Sequence, residues 1–504
     1  MTSETGFLTS ALLALYYLLL GVLAFYGFHR LILAVVYLRT RQGEVTAPPL
    51  PREWPLVTVQ LPLYNEMYVA KRLIQAVAAL DYPRNRLEIQ VLDDSTDETL
   101  EVVAREVAYF RGRGVDIHHL RRADRRGFKA GALAHGLAAA RGELIAVFDA
   151  DFLPGSEFLR QTIPHLAADP GLAMVQARWT HLNRSYSLLT RIQALFLDGH
   201  FVVEHTARHR GGCFFNFNGT AGVWRRQAIE DAGGWQHDTV TEDLDLSYRA
   251  QLAGWRFLYL PDITVPAELP VDIHGFKSQQ RRWAKGSIQT GRKLLGRILR
   301  TPLPWKVKIE ALIHLTNNTS YLLMVALSVL VFPAMVLRRG SPLTMLLLVD
   351  LPLFLAATAS VLFFYGVSQR AQRRPGELRF LPAVMGLGIG LALSNSQAVV
   401  AGLLRPGGVF ERTPKYAVVT RQESWRGKRY RSPMGLTTWL EGFFALYFLG
   451  CTLYALAAGM LASLPFLYLF LQGYTYVFLL SVAPLWRGGG RSSSAAVPTD
   501  LGFG

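Results

Sequence analysis

The sequence predicts an α/β domain, built on a doubly wound and mostly parallel sheet, inserted between transmembrane α-helices. Three observations carry that expectation. Of 504 residues 51% are hydrophobic, and the excess is segmental: 7–38 and 307–485 are dominated by long apolar runs, whereas 50–300 are not. Within 50–300, short β-rich runs alternate with helical stretches, the pattern of a parallel sheet. Polar and acidic residues recur where those strands end, the edge at which open α/β sheets bind ligands.

The first apolar run, Phe7 to Leu38, exceeds the ~20 residues a spanning helix needs. It does not read as a signal peptide, because Glu4 and no base precede it and no small-residue cleavage site closes it. Arg30, Arg39 and Arg41 place the chain from residue 40 onward in the cytoplasm by the positive-inside bias. After a proline-rich linker, the pattern predicts strands over 57–61, 87–92, 117–120 and 143–148, with helices over 66–80, 96–111 and 129–140. A helix carries Gln279 to Trp283, and 292–300 reads as a basic amphipathic helix on the membrane surface.

Further apolar segments cover 311–337, 343–366, 379–404, 435–462 and 464–485. The third holds Ser394-Asn395-Ser396-Gln397, costly at bilayer depth, and reads as interfacial or re-entrant. The loop 405–433, with eight Lys/Arg against two Glu, is expected in the cytoplasm, which leaves Arg338 and Arg339 outside. The expected division is therefore 1–45 transmembrane helix, 46–300 cytosolic domain ending in interfacial helices, 301–404 spans plus an interfacial or re-entrant segment. A cytosolic basic loop follows at 405–434, then a transmembrane hairpin at 435–486 and a disordered tail at 487–504. The net charge of +16 is first a positive-inside excess, and no zinc finger, basic zipper or RNA-binding signature accompanies it, so no nucleic-acid partner is expected. Two cysteines make neither a disulfide framework nor a metal cluster.

The candidate chemistry lies at the strand ends. Asp149 and Asp151, at i and i+2 after an apolar strand, fall on one side of the chain and make half a site for a hard divalent cation, or simply a solvated turn. The loop Arg125 to Gly131 opens a helix and either suits phosphate, without the ending of a Walker loop, or is simply a solvated basic turn. Asn218-Gly219 lies in a small-residue turn that lets backbone approach a ligand. Thr241-Glu242-Asp243 crowds acids at a helix start, which serves capping or supplies a general base at Asp243. Gln279, Arg282 and Trp283 share one helix face, either a platform for a sugar and a diphosphate or a helix contact.

Together, Pro62-Leu63-Tyr64-Asn65-Glu66, Asp93-Asp94-Ser95, Lys129-Ala130-Gly131, Asp149-Ala150-Asp151, Thr241-Glu242-Asp243 and Gln279-x-x-Arg282-Trp283 resemble the processive, membrane-embedded family-2 glycosyltransferases of the cellulose synthase group. Phe217 to Arg225 and Glu268-Leu269-Pro270 look closest to the plant cellulose-synthase-like A and C branch. The resemblance implies a GT-A type domain and an inverting, metal-dependent hexosyltransferase. It would move hexose from UDP-glucose or GDP-mannose to a β-linked glucan, mannan or glucomannan and translocate the product. It also implies the roles. Tyr64, Glu66, Asp93 and Asp94 would hold the nucleoside, Lys129 and Asp149 the donor diphosphate, and Asp149 and Asp151 would ligate Mg²⁺ or Mn²⁺. Asp243, with Glu242 and Thr241, would activate the acceptor, which Gln279, Arg282, Trp283, Asn218 and Gly219 would steady. Phe410, Thr413 and Lys415 would belong to a gating loop, in which Arg412 replaces the usual Val. The expected partners are a nucleotide-sugar, a polysaccharide acceptor and membrane lipid, in a multi-pass protein of a bacterial inner or Golgi-type membrane. The alternative is a glycolipid synthase that transfers one or a few sugars to diacylglycerol or ceramide. The sequence does not specify the donor, the linkage, the oligomeric state or an outer accessory protein.

Overall fold

The computed structural model describes residues 2–41, 46–409, 411–425, 427–429 and 435–486, and begins with the 39-residue helix α1 (Thr2–Thr40). Seven strands follow: β1 (Val57–Leu63), β2 (Leu87–Asp93), β3 (Ile117–Leu120), β4 (Leu144–Val147), β5 (Leu172–His181), β6 (Gly222–Arg225) and β7 (Arg256–Ala267). They form one sheet in the order β3-β2-β1-β4-β6-β5-β7. Only β6 runs antiparallel to its neighbours, so its amino end meets the carboxyl ends of the other six, with Val147 opposite Gly222 and Leu63 opposite Asp93. That mixed sheet bears out the expected fold class, and its single reversal brings the 217–221 turn to the edge where the parallel strands end.

The two faces follow from side-chain alternation. Along β4, Leu144 and Ala146 pack into one core with α2 (Ala70–Ala78), α3 (Thr99–Arg111) and, further along the chain, residues 158–168. Ile145 and Val147 pack into the other with α4 (Phe128–Ala139), and with Ile229 and Leu246 from beyond β6. Both faces of these strands are buried, which explains their continuous apolar runs.

Several element limits differ from expectation. The first domain helix starts at Ala70, not Glu66, because residues 64–69 form a turn in which Asn65 takes φ 54 and Glu66 O accepts from Val69 and Ala70. The next starts at Thr99, whose amide is capped by Asp97. β4 stops at Val147, so Asp149 and Asp151 stand on the turn beyond it and strand alternation is not what aims them.

A 28-residue helix, α5 (Ile273–Arg300), joins the domain to the apolar helices. Its final turns were expected on the membrane surface. Instead Leu294 and Ile298 are buried against Leu244, Tyr248, Ala311 and Leu315, because the following helix at Trp305–Thr316 folds back over them. Among the described residues, five helices are long and apolar enough to cross a membrane: Gly6–Thr40, Trp305–Leu337, Leu347–Ala371, Thr437–Ala457 and Leu461–Ala483. The segment expected to be interfacial or re-entrant is a helix pair, Pro375–Gly390 and Ala392–Leu404, bent by 45°. Ser394, Asn395 and Ser396 are buried in protein there, and Ala398 and Val399 pack on Ala284 and Ile288 of α5. Arg338 pairs with Asp350, which neutralises the charge that the sequence left at the outer end.

The joint between α5 and the last two apolar helices is ionic. Lys277 Nζ lies 2.7 Å from Glu441 Oε2 and 2.7 Å from Ser481 Oγ, with both charged residues buried. Removing one partner of such a pair strands the other charge, whereas removing both does not. Glu441→Ala is therefore expected to cost about 3–5 kcal/mol. The double variant Lys277→Met, Glu441→Leu should regain most of that loss, as read from thermal unfolding of the detergent-solubilised protein.

Candidate active site

The strand ends enclose one cavity. From β1 come Tyr64 and Glu66, and from β2 comes Asp94. Asp94 is taken by Arg122, whose Nε donates to Oδ1 at 2.9 Å, and the Arg125 guanidinium lies 3.3 Å from the centre of the Tyr64 ring. Asp93 is not brought to the cavity. It points back to His119 Nε2 at 2.9 Å and to the Ser95 amide at 2.9 Å, and although burial works against it, those partners hold its carboxyl below the usual range. Its expected contact with the donor base is corrected accordingly, since a residue ending β2 sends Asp93 and Asp94 to opposite sides.

Beyond β4, Asp149 and Asp151 both line the cavity. Asp149 accepts from Lys129 Nζ at 2.5 Å, and the same ammonium reaches Gly219 O at 2.9 Å and Glu242 at 3.7 Å. Burial lowers the Lys129 pKa, but Asp149 and Glu242 outweigh it and keep the ammonium charged. Asp151 is buried and accepts from Lys415 Nζ at 2.8 Å and from the Glu268 amide at 3.2 Å.

Asp243 stands at the start of a helix, Glu242–Leu252, with Leu244 N donating to its Oδ1 at 2.8 Å. Burial, reinforced by Glu242 and opposed by Lys129, pushes its carboxyl up to about 7. Gly219 faces it with φ +81, and a Cβ there would meet Asp243 Oδ2 at 3.0 Å and Lys129 Nζ at 3.2 Å. Gln279, Arg282 and Trp283 of α5 line the same cavity, so the shared helix face fronts the acids.

The segment 411–418 closes the side of the cavity that holds Glu66 and Asp151. Arg412 forks onto Glu66 at 2.9 and 3.2 Å, and burial raises the Glu66 carboxyl against that pull. Lys415 also donates to Glu268 O at 2.8 Å, while the Glu268 carboxylate takes the Tyr416 amide at 2.9 Å and Arg72 at 2.8 Å. Thr413 lines the cavity beside them, and Phe410 lies outside the described residues. No group of three or more His, Cys, Asp or Glu side chains is arranged as a metal cluster among the described residues. Seven carboxylates line the cavity, however, and two of them, Asp149 and Asp151, share the turn beyond β4. Two carboxylates completed by phosphate oxygens suit Mg²⁺ or Mn²⁺, so the residues fit the ion.

Residues 54–286 match the family described as "Glycosyltransferase like family 2". The rice (Oryza sativa subsp. japonica) protein "Probable glucomannan 4-beta-mannosyltransferase 3" is 34% identical over 444 residues, 84% of this chain and 77% of that one. The chain is a family-2 glycosyltransferase. Within that family its relatives are of the cellulose-synthase-like A branch. A second rice protein, "Probable glucomannan 4-beta-mannosyltransferase 7", is 48% identical over 246 residues, 48% of this chain and 42% of its own length. Across the first relatives the chain spans about half their length, 42% to 51%. In fold, the glycosyltransferase is similar to "Mannosyltransferase PcManGT from Pyrobaculum calidifontis in complex with GDP-Man and Mn2+", with a TM-score of 0.52 and 22% identity. That likeness covers 77% of this chain and 99% of the archaeal one.

Sequence reasoning missed part of this glycosyltransferase's site. Arg122 carries no motif of its own and is recognised only through Asp94, while Glu268, read in the sequence only as part of the branch resemblance, takes its place in the site through Lys415. His181, which burial holds down at about 4 and hence neutral, lines the cavity from the end of β5, a strand the sequence reading left unassigned. Two outcomes are expected from the acid turn. Because the Asp243 carboxyl loses its proton near pH 7, transfer dependent on its base form should rise with pH through about 7 and fall below it. Asp243→Asn should lower turnover by ~10²–10⁴-fold while donor affinity, followed by calorimetry, stays within a few-fold. Gly219→Ala, forced into a positive φ against Asp243, should cost about 1–3 kcal/mol of stability and at least tenfold in turnover.

Proposed function

We propose that the chain transfers mannose from GDP-mannose, with inversion, to the end of a β-1,4-linked mannan or glucomannan and passes the product into its apolar helices. The observation that carries this reading is the one cavity lined together by Asp243, whose carboxyl is raised to about 7, by Gln279, Arg282 and Trp283, and by Lys129, Asp149 and Asp151. The names of the relatives favour mannose over glucose.

In this reading Tyr64 and Arg125 receive the base, Glu66 and Asp94 the nucleoside, and Lys129 the diphosphate. Asp149 and Asp151 hold Mg²⁺ or Mn²⁺, which neutralises the departing diphosphate when bound. Asp243 takes the proton from the acceptor hydroxyl as that oxygen attacks the anomeric carbon from the face opposite the nucleotide, giving a β-linkage from an α-linked donor. Trp283 supplies an apolar face for the acceptor ring, while Gln279 and Arg282 hold its hydroxyls and the phosphate. Thr413 and Lys415 close the site from the 411–418 segment.

The test is transfer by the purified protein in lipid nanodiscs with GDP-mannose or UDP-glucose and Mg²⁺ or Mn²⁺. The expected product is an insoluble polymer, labelled from GDP-mannose and degraded by β-1,4-mannanase. A short, chloroform-soluble product would overturn the polymer reading in favour of glycolipid synthesis, and exclusive use of UDP-glucose would overturn the donor.

A further inference from the structure

Beyond Trp283, outside the motif that ends there, α5 carries Gln289. With Gly286 and Lys293 it stands at i, i+3 and i+7 on one helix face, which continues the face of Arg282 and Trp283. That face seats the loop leading into the acid turn. Gly286 lies against Thr241, and Lys293 Nζ reaches Gln236 Oε1 at 2.7 Å, Asp238 Oδ1 at 2.8 Å and Asp245 Oδ1 at 2.9 Å. Gln289 is buried, and its Oε1 accepts from the Val240 amide at 3.0 Å.

The same amide has a second set of partners. Its Nε2 donates to Arg405 O at 2.9 Å and to Gly407 O at 2.7 Å, where the chain leaves the helix Ala392–Leu404, and Gly407 N in turn donates to Asp238 O at 2.7 Å. These partners fix the amide orientation by themselves. A backbone N–H only donates and a backbone carbonyl only accepts, so Oε1 faces Val240 and Nε2 faces the two carbonyls. Val240 stands three residues before Asp243. Arg405 and Gly407 stand at the entry to the segment that brings Arg412 to Glu66 and Lys415 to Asp151. One buried side chain on the acceptor helix therefore holds both the turn of the base and the root of the closing segment.

We propose that Gln289 is a positioning residue of this glycosyltransferase: it sets the turn bearing Asp243 and the segment bearing Arg412 and Lys415 against one point of α5, in fixed relation to the platform of Gln279, Arg282 and Trp283. The proposal rests on the transferase reading above, and it adds a residue that stands outside the cavity lining and acts through the groups it holds. An apolar side chain of similar length would leave the Val240 amide and the Arg405 and Gly407 carbonyls without their shared partner, and each unmet backbone group then drives its own segment toward another one. The turn and the segment would settle separately, while the platform stays on its helix.

The test uses the full-length protein in nanodiscs with Mn²⁺, GDP-mannose as donor and a defined β-1,4-manno-oligosaccharide as acceptor. Gln289→Met should lower kcat about tenfold and raise the donor KM about fivefold, with the acceptor KM within about twofold. A merely structural role lowers only the fraction of active protein, so a fall in kcat with both KM values unchanged would overturn the proposal. Gln289→Glu keeps an oxygen for Val240 and, in either protonation state, supplies at most one of the two donations. Its kcat should lie within about threefold of wild type while its donor KM stays raised as in Gln289→Met. A Glu variant whose kcat is no better than that of Met would also overturn the proposal. In a cycle with Arg412→Met, the donor KM losses should be less than additive, because both changes act on one segment, and additive losses would refute a shared seat. If Gln289→Met does not fold, the cycle of Gln289→Glu with Arg412→Met decides by that criterion. Absence of transfer by the wild-type protein from either sugar nucleotide overturns the transferase reading itself, and is thereby distinguished from a failure of Gln289 alone.

Discussion

The constraint on which the structure turns is the crowding of carboxylates at one sheet edge. Two unit charges 4 Å apart repel by about 4 kcal/mol at an effective dielectric of 20, so seven acids around one cavity do not coexist without cations among them. The bases that answer them come from separate parts of the chain: Lys129 from α4, Arg122 and Arg125 from the loop before it, Arg282 from α5, and Arg412 and Lys415 from the segment between apolar helices. The charges that equip the cavity for chemistry are therefore also what fastens the α/β domain to α5 and to the segment beyond it.

These cations differ in how firmly they are held. Lys129 sits in the first turn of a helix and is tied to the Gly219 carbonyl, so it belongs to the rigid wall that contains Asp149, Glu242 and Asp243. Arg412 and Lys415 belong to a stretch without regular secondary structure, and they neutralise Glu66 and Asp151. One group of cations is thus supplied by a helix and the other by an irregular segment.

Much of this was legible in the sequence because the chemistry sits at strand ends. Apolar runs fixed where β1, β2 and β4 lie, and their carboxyl ends named Tyr64, Glu66, Asp94, Asp149 and Asp151, all of which line the cavity. What could not be read was direction. Asp93 and Asp94 look alike in the sequence, and only the pleat at the end of β2 sends one to His119 and the other to the cavity. The turn after β4 aims Asp149 and Asp151 by its own geometry, which an alternation argument does not describe. Long-range pairs were equally hidden: nothing local in Arg412 announces Glu66, 346 positions away. The final turns of α5 were misread because a basic, amphipathic stretch has the same pattern whether its apolar stripe meets lipid or, as here, another helix.

The spacing between base and acceptor platform rests on a glycine that carries no polar group. Thr241 precedes the acids, and its hydroxyl was expected to share their chemistry, yet its side chain packs against Gly286 of α5 so closely that a Cβ there would lie 2.3 Å from both Thr241 Oγ1 and Cγ2. Gly286 stands three residues beyond Trp283, on the helix that presents Gln279 and Arg282. The acid turn and the acceptor helix therefore touch backbone to side chain at one point, next to the residues that would bring base and sugar together. Any larger residue at 286 would separate the two elements, and with them Asp243 from Trp283, without altering either group. The identity of Thr241 thus matters for the distance it sets, and the catalytic geometry is determined as much by what α5 lacks at position 286 as by the charges facing it.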